Sequence, residues 1–211
     1  IDGWERFVNS VSQDFREDCE LFVSGSNSHL LSGELATLLS GRYIVLPVFT
    51  FGYQEYITAN NLPDGRNSYL DYMQKGGFPE FINLPLEESR KNYVSAIKDS
   101  VLLRDVIQRY KIKEAQLLED IFIFLVNNAS NLISVSNIVG YFASKKRKTN
   151  YETISTYITY LSNAYIIHKA DRYNIRGKET ISGNCKYYIN DVAFRNYLYG
   201  WRRKSLQNTE N

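Results

Sequence analysis

The chain has 211 residues, of which 44% are hydrophobic and 23% charged, with a formal net charge of +2. That composition suits one or two ordinary globular domains, and Cys19 and Cys185 alone are too few for a disulfide framework. No apolar run approaches the ~18 residues of a membrane span, and Ile1 to Val11 holds Asp2 and Glu5 where a secretory leader would be basic and then apolar, so no membrane partner and a reduced cytoplasmic setting are expected.

The small net charge conceals a polarity. Residues 1–80 carry 5 Lys/Arg against 11 Asp/Glu, residues 81–211 carry 20 against 12, and residues 145–204 carry 13 against 4. A basic second half fits either attraction to a polyanion or a solvated basic surface.

In chain order, Asp2 with Glu5 three positions on starts a first helix, along which Trp4, Phe7, Val8, Val11 and Phe15 recur at helical spacing. Glu20 to Val23 reads as a short strand ending in the polar turn Ser24–Ser28, and Leu30 to Leu39 as one broken helix or two short ones. Tyr43 to Val48 reads as a second strand, with Pro47 near its end where a missing N–H is tolerated. Short helices are expected over Gly52–Ala59 and Asn67–Gln74, on either side of the turn Leu62-Pro63-Asp64-Gly65. Lys75-Gly76-Gly77-Phe78-Pro79-Glu80 is the clearest break, a hinge or boundary candidate at about the point where the charge changes sign.

Beyond it the pattern predicts a long helix, or an interrupted one, over Leu86–Arg109. A second helix covers Lys113–Asn128, and a short one covers Ser134–Ala143 with Ser134 as its cap. The loop Lys145-Lys146-Arg147-Lys148 leads to a helix capped by Thr149 or Asn150, with an apolar stripe of Tyr151, Ile154, Tyr157, Ile158, Leu161 and Ala164. Strands are expected at Ile166–Tyr173 and Cys185–Ile189 around a Gly-containing turn, then a closing helix over Asp191–Tyr199 and a polar tail. Helix, short helix, basic loop, amphipathic helix and hairpin is the order of a winged helix-turn-helix.

Over about residues 1–200 the chain resembles a bacterial and archaeal P-loop ATPase family of the AAA+ superfamily, whose AAA core precedes a winged-helix domain of unknown function. The resemblance rests on Phe22-Val23-Ser24-Gly25-Ser26-Asn27-Ser28, Leu38-Leu39-Ser40-Gly41-Arg42, and Leu46-Pro47-Val48 through Gln54-Glu55-Tyr56. It extends to Gly76-Gly77-Phe78-Pro79-Glu80, Lys98-Asp99 to Arg104, and Lys186-Tyr187-Tyr188-Ile189-Asn190-Asp191. It implies a mainly α chain with a small α/β part: the C-terminal portion of an AAA+ core over 1–75, a hinge at 76–85, a helical and winged-helix domain over 86–200, and a tail at 201–211.

In that family the Walker A and Walker B elements come first, yet no G-x-x-x-x-G-K-[ST] occurs anywhere here and the chain begins at Ile1. A piece of a larger protein is therefore expected. Its intact form would bind ATP and Mg, while neither is expected bound to residues 1–211 alone. The usual AAA+ strand order puts a missing central strand between Leu21–Ser24 and Tyr43–Val48, so these two are not expected to form a normal sheet without a rearranged pairing or a segment from elsewhere.

The resemblance also implies site residues. Ser26 and Asn27 correspond to sensor 1, a polar side chain that meets the γ-phosphate or orients water; the alternative is a turn that only satisfies backbone groups. Arg42 sits where an arginine finger or sensor is often found, which would imply a homo-oligomer if it acts in trans; the alternatives are a surface Arg before a strand, or one paired with Glu55 or Glu34. For nucleic acid, Lys145, Lys146, Arg147 and Lys148, with Arg172, Arg176 and Lys178 of the proposed wing, are candidates to bind phosphates. Thr153 and Thr156 lie on the outer face of the recognition helix, where Arg, Lys and Gln are absent, so sequence reading there is not expected. A DNA-binding regulator, a protein-interaction module and a nucleotide-driven lid all remain open. His29 and His168 lie in unrelated elements, which leaves no His-based triad or zinc site.

Overall fold

The computed structural model describes residues 4–12, 20–25 and 43–200. Helix α1 (Trp4–Ser12) is followed, after the undescribed stretches, by α2 (Tyr53–Ala59) and α3 (Arg66–Lys75), which pack as a pair. A 3₁₀ turn (Pro79–Ile82) leads to α4 (Glu87–Ser100), which runs on without a break as a π-helix over Val101–Gln108. Then come α5 (Ala115–Asn127), β1 (Leu132–Ile133), α6 (Val135–Ser144), α7 (Tyr151–Asn163), β2 (Ile167–Asn174), β3 (Glu179–Ile189) and α8 (Ala193–Tyr199). Among the described residues the sheet is antiparallel, three-stranded, in the order β1-β3-β2.

The core is organised around α5. Leu117, Leu118, Ile121, Phe122, Leu125 and Val126 are all buried, because a helix apolar round most of its circumference is stable only when neighbours cover every side. Those neighbours are α7, β3 and α8. Local chemistry agrees with this packing at the helix starts. Ser134 Oγ accepts from Asn137 N at 3.1 Å while Asn137 Oδ1 accepts from Ser134 N at 3.2 Å, a reciprocal cap, and Asn150 Oδ1 accepts from Thr153 N at 2.7 Å. In the hairpin the register slips between Asp171, opposite Cys185, and Arg172, opposite Ile181. Gly183 stands in the extra loop of β3 at φ +110°, a backbone conformation that a side chain would strain.

The expected small α/β part is not seen among the described residues. Residues 20–25 and 43–50 form no β-pairing, and their apolar side chains face outward: Phe22 is 79% exposed, Ile44 86%, Leu46 70% and Val48 93%. An apolar run alone does not make a strand, which also needs a neighbour for its N–H and C=O groups.

The glycine pair expected as a hinge is a packed junction. Asp191, only 5% exposed, accepts from Gly77 N at 2.9 Å through Oδ2 and from Ala193 N at 2.8 Å through Oδ1. Burial pushes its carboxyl above the ordinary 3.8, against the opposing pull of hydrogen bonds from Ala193, Thr50 and Gly77. A raised folded pKa means that the folded chain holds this proton more tightly than the unfolded one. The resulting stability is full below about 3.8 and is lost as pH rises through the folded value. Urea titrations of wild type and Asp191→Asn from about pH 7 down to about pH 4 should therefore show their difference moving in favour of wild type as pH falls; the reverse trend would refute the sign.

Candidate functional site

The exposed basic residues of the second half fall into two groups, the loop after α6 and the hairpin. Helix α6 terminates at Ser144, and Lys146 takes a left-handed turn (φ 59°) that redirects the chain toward α7. Lys145, Lys146 and Lys148 are exposed there, Lys145 lying 6.0 Å above the Tyr141 ring. Arg147 is different: it is partly buried and ion-paired with Asp120 of α5, on the rim of an open groove of about 390 Å³ between α5 and α6. A guanidinium held by its own carboxylate is a poor phosphate ligand, because an incoming phosphate must displace an existing partner.

The hairpin presents Arg172, Arg176 and Lys178, all exposed and, among the described residues, without an ion pair. Asn174 Oδ1 accepts from Arg176 N at 3.2 Å, and Lys178 has φ 52°, which together tighten the turn that carries these charges. Lys169 is instead paired with Asp171 at 2.7 Å. Helix α7 packs against β2 of the hairpin.

On α7, the apolar stripe expected from the sequence divides. Ile154, Ile158, Leu161 and Ala164 are buried, Tyr157 is half-buried, and Tyr151 is 57% exposed. Tyr160 stacks on Tyr110 with ring centroids 3.6 Å apart. Thr156 is exposed and Thr153 half-buried, so this face offers hydroxyls and no cation. Such a surface can hold phosphates around its rim but has little with which to distinguish bases.

Ser26, Asn27 and Arg42 lie outside the described residues. Of the partners weighed for Arg42, Glu55 is engaged as a cap, its Oε2 accepting from Gly52 N at 2.8 Å. His168 contacts Asn190 Oδ1 at 3.0 Å and the Phe49 ring edge-on at 5.7 Å. Among the described residues no group of three or more His, Cys, Asp or Glu is placed to hold a metal ion, and no helix is long and apolar enough to cross a membrane. Asp191, which no local sequence pattern singled out, is the most heavily engaged carboxylate described.

Comparison with known proteins gives two matches along the chain. Residues 1–57 match the AAA domain family, and residues 66–205 match a domain of unknown function, DUF8612. An uncharacterized protein of Haemophilus influenzae is 34% identical over 212 residues, covering 99% of this chain and 52% of the relative. The uncharacterized protein MJ1544 of Methanocaldococcus jannaschii is 27% identical over 203 residues, covering 91% of this chain and 45% of the relative. The chain thus spans about half the length of these curated relatives. No solved structure matches it. With its match extending over most of the residues described above, the chain belongs to the DUF8612 family, joined to a segment that matches the AAA domain.

Proposed function

We propose that residues 1–57 supply the sensing half of an AAA-type nucleotide site, and that residues 86–200 form a winged-helix module that this site controls. The observation that carries the reading is the exposed apolar run at 44–49, which forms no β-pairing among the described residues and lies within the stretch that matches the AAA domain. Such a run suits a strand whose sheet is completed by a segment outside residues 1–211. In this reading Asn27 and Ser26 sense the nucleotide and Arg42 reaches it in cis, or in trans within a homo-oligomer.

Residues 1–211 do not by themselves fit ATP or Mg, because the sequence has no phosphate-gripping loop. No hydrolytic step belongs to them alone. Purified residues 1–211 should therefore show neither ATP turnover nor micromolar binding of a fluorescent ATP analogue. A protein of the relatives' full length should turn over ATP and lose most of that turnover in Asn27→Ala or Arg42→Ala, with analogue binding retained. Micromolar binding by residues 1–211, or full turnover in both variants, would overturn the proposal.

A second reading, contact with DNA, is favoured by the six exposed cations at Lys145, Lys146, Lys148, Arg172, Arg176 and Lys178 flanking α7. The order helix, β1, helix, basic loop, helix, hairpin suits a winged helix placing α7 and the hairpin against a duplex. The contact would be to phosphates, without sequence reading.

A further inference from the structure

The junction around Asp191 joins stretches that the chain keeps far apart. Besides Gly77 N and Ala193 N, the Asp191 carboxylate meets the Thr50 hydroxyl. Phe51 N donates to Gly77 O at 2.8 Å, and the Tyr72 hydroxyl donates to Phe51 O at 2.9 Å. From α8, Asn196 Nδ2 donates to both Met73 O and Gln74 O at 2.9 Å. The end of the extended run 43–49 is thereby tied to the C-terminus of α3, and both are tied to the start of α8.

The two glycines are there for proximity. A Cβ on Gly76 would lie 2.1 Å from Asp191 Oδ1 and 2.8 Å from Ala193 Cβ, and one on Gly77 would lie 2.2 Å from Phe51 O. A hinge needs space in which its backbone angles can change. These positions have none, and every nearby chain segment is held by a hydrogen bond.

We infer that Asp191 is a fastening that makes the 50–51 end of this arm and the helical unit around α5 one rigid body, so that a force on the arm reaches α8 through this carboxylate. The chemistry explains the residue type. A carboxylate accepts on both oxygens, whereas an asparagine presents one NH₂ that would face an N–H or hydroxyl donor and leave it unpaired. The inference does not depend on what binds the arm, and so stands apart from the nucleotide reading.

Hydrogen exchange resolved to single amides tests it on residues 1–211. Phe51 N–H bonds to Gly77 O, not to Asp191, so its protection reports whether the arm is held as a unit. Asp191→Asn and the milder Thr50→Ala should each lower Phe51 protection, by roughly tenfold for Asp191→Asn, with the amides of Ile121 to Val126 unchanged. Gly77→Ala should produce the same local loss, and its combination with Asp191→Asn should add less than the sum of the two. Unchanged Phe51 protection, equal loss at Ile121–Val126, or full additivity would each overturn the inference.

Discussion

Replacing Phe122 by alanine is expected to cost about 3–5 kcal/mol, a large part of the total stability of a domain this size. Phe122 is fully buried at the centre of α5 and meets the Phe194 ring of α8 edge-on, with centroids 6.0 Å apart. Its removal leaves a cavity bordered by α8, which is itself tethered through Asn196 and the Asp191 junction and so has little freedom to collapse inward. Ile44→Ala is the control: the side chain is 86% exposed and its loss should lie within about 0.5 kcal/mol of neutral. Urea denaturation followed by circular dichroism separates the two. A cost below about 1 kcal/mol for Phe122→Ala would mean that α5 does not organise the core.

The second large effect concerns polyanion binding. If the loop and hairpin cations touch phosphates, retention on duplex DNA at low salt should fall steeply as salt rises, with a slope of about −0.9 for each phosphate engaged. Changing Lys145, Lys146 and Lys148 to alanine should make that slope shallower by as much as about 2.7, and adding Arg172→Ala, Arg176→Ala and Lys178→Ala should abolish retention. Arg147→Ala should alter the slope little while destabilising the fold, because its guanidinium already serves Asp120. Thr153→Ala and Thr156→Ala should not change which sequences are preferred. No retention by the natural chain at low salt, or an unchanged slope in the lysine variants, rejects DNA contact at this surface.

The sequence was most readable where one local rule determined the outcome. Helices α5, α6 and α7 lie within a residue or two of their expected spans, because caps such as Ser134 and Asn150 and the apolar spacing act within a single turn. Strand β1 escaped notice, since Leu132 and Ile133 carry no alternation and exist as a strand only through β3. The hairpin is longer than expected, pairing out to Asn174 and Glu179. Residues 20–23 and 43–48 misled in the opposite direction, their apolar character suggesting strands where, among the described residues, no β-pairing forms. Within the basic cluster, composition placed the charges, but only the packing of α5 against the loop distinguishes Arg147 from its exposed neighbours. Asp191 stands in the sequence only as the start of the closing helix and as the end of a stretch that resembles the family; that its carboxylate meets Gly77 is a property of the tertiary fold, invisible to any window of sequence.

That contact spans 114 positions along the chain. During synthesis the carboxylate reaches the Gly77 amide only after almost all of the described domain has left the ribosome, so the arm spends most of its early life undocked. Closing so long a loop is entropically expensive, which places the event late on the folding path, after α5 to α7 have met through contacts nearer in sequence. Interactions made after the transition state slow unfolding and leave the folding rate almost unchanged. The Asp191 junction therefore sets how long the domain persists once formed, whereas the α5 core sets how quickly it forms.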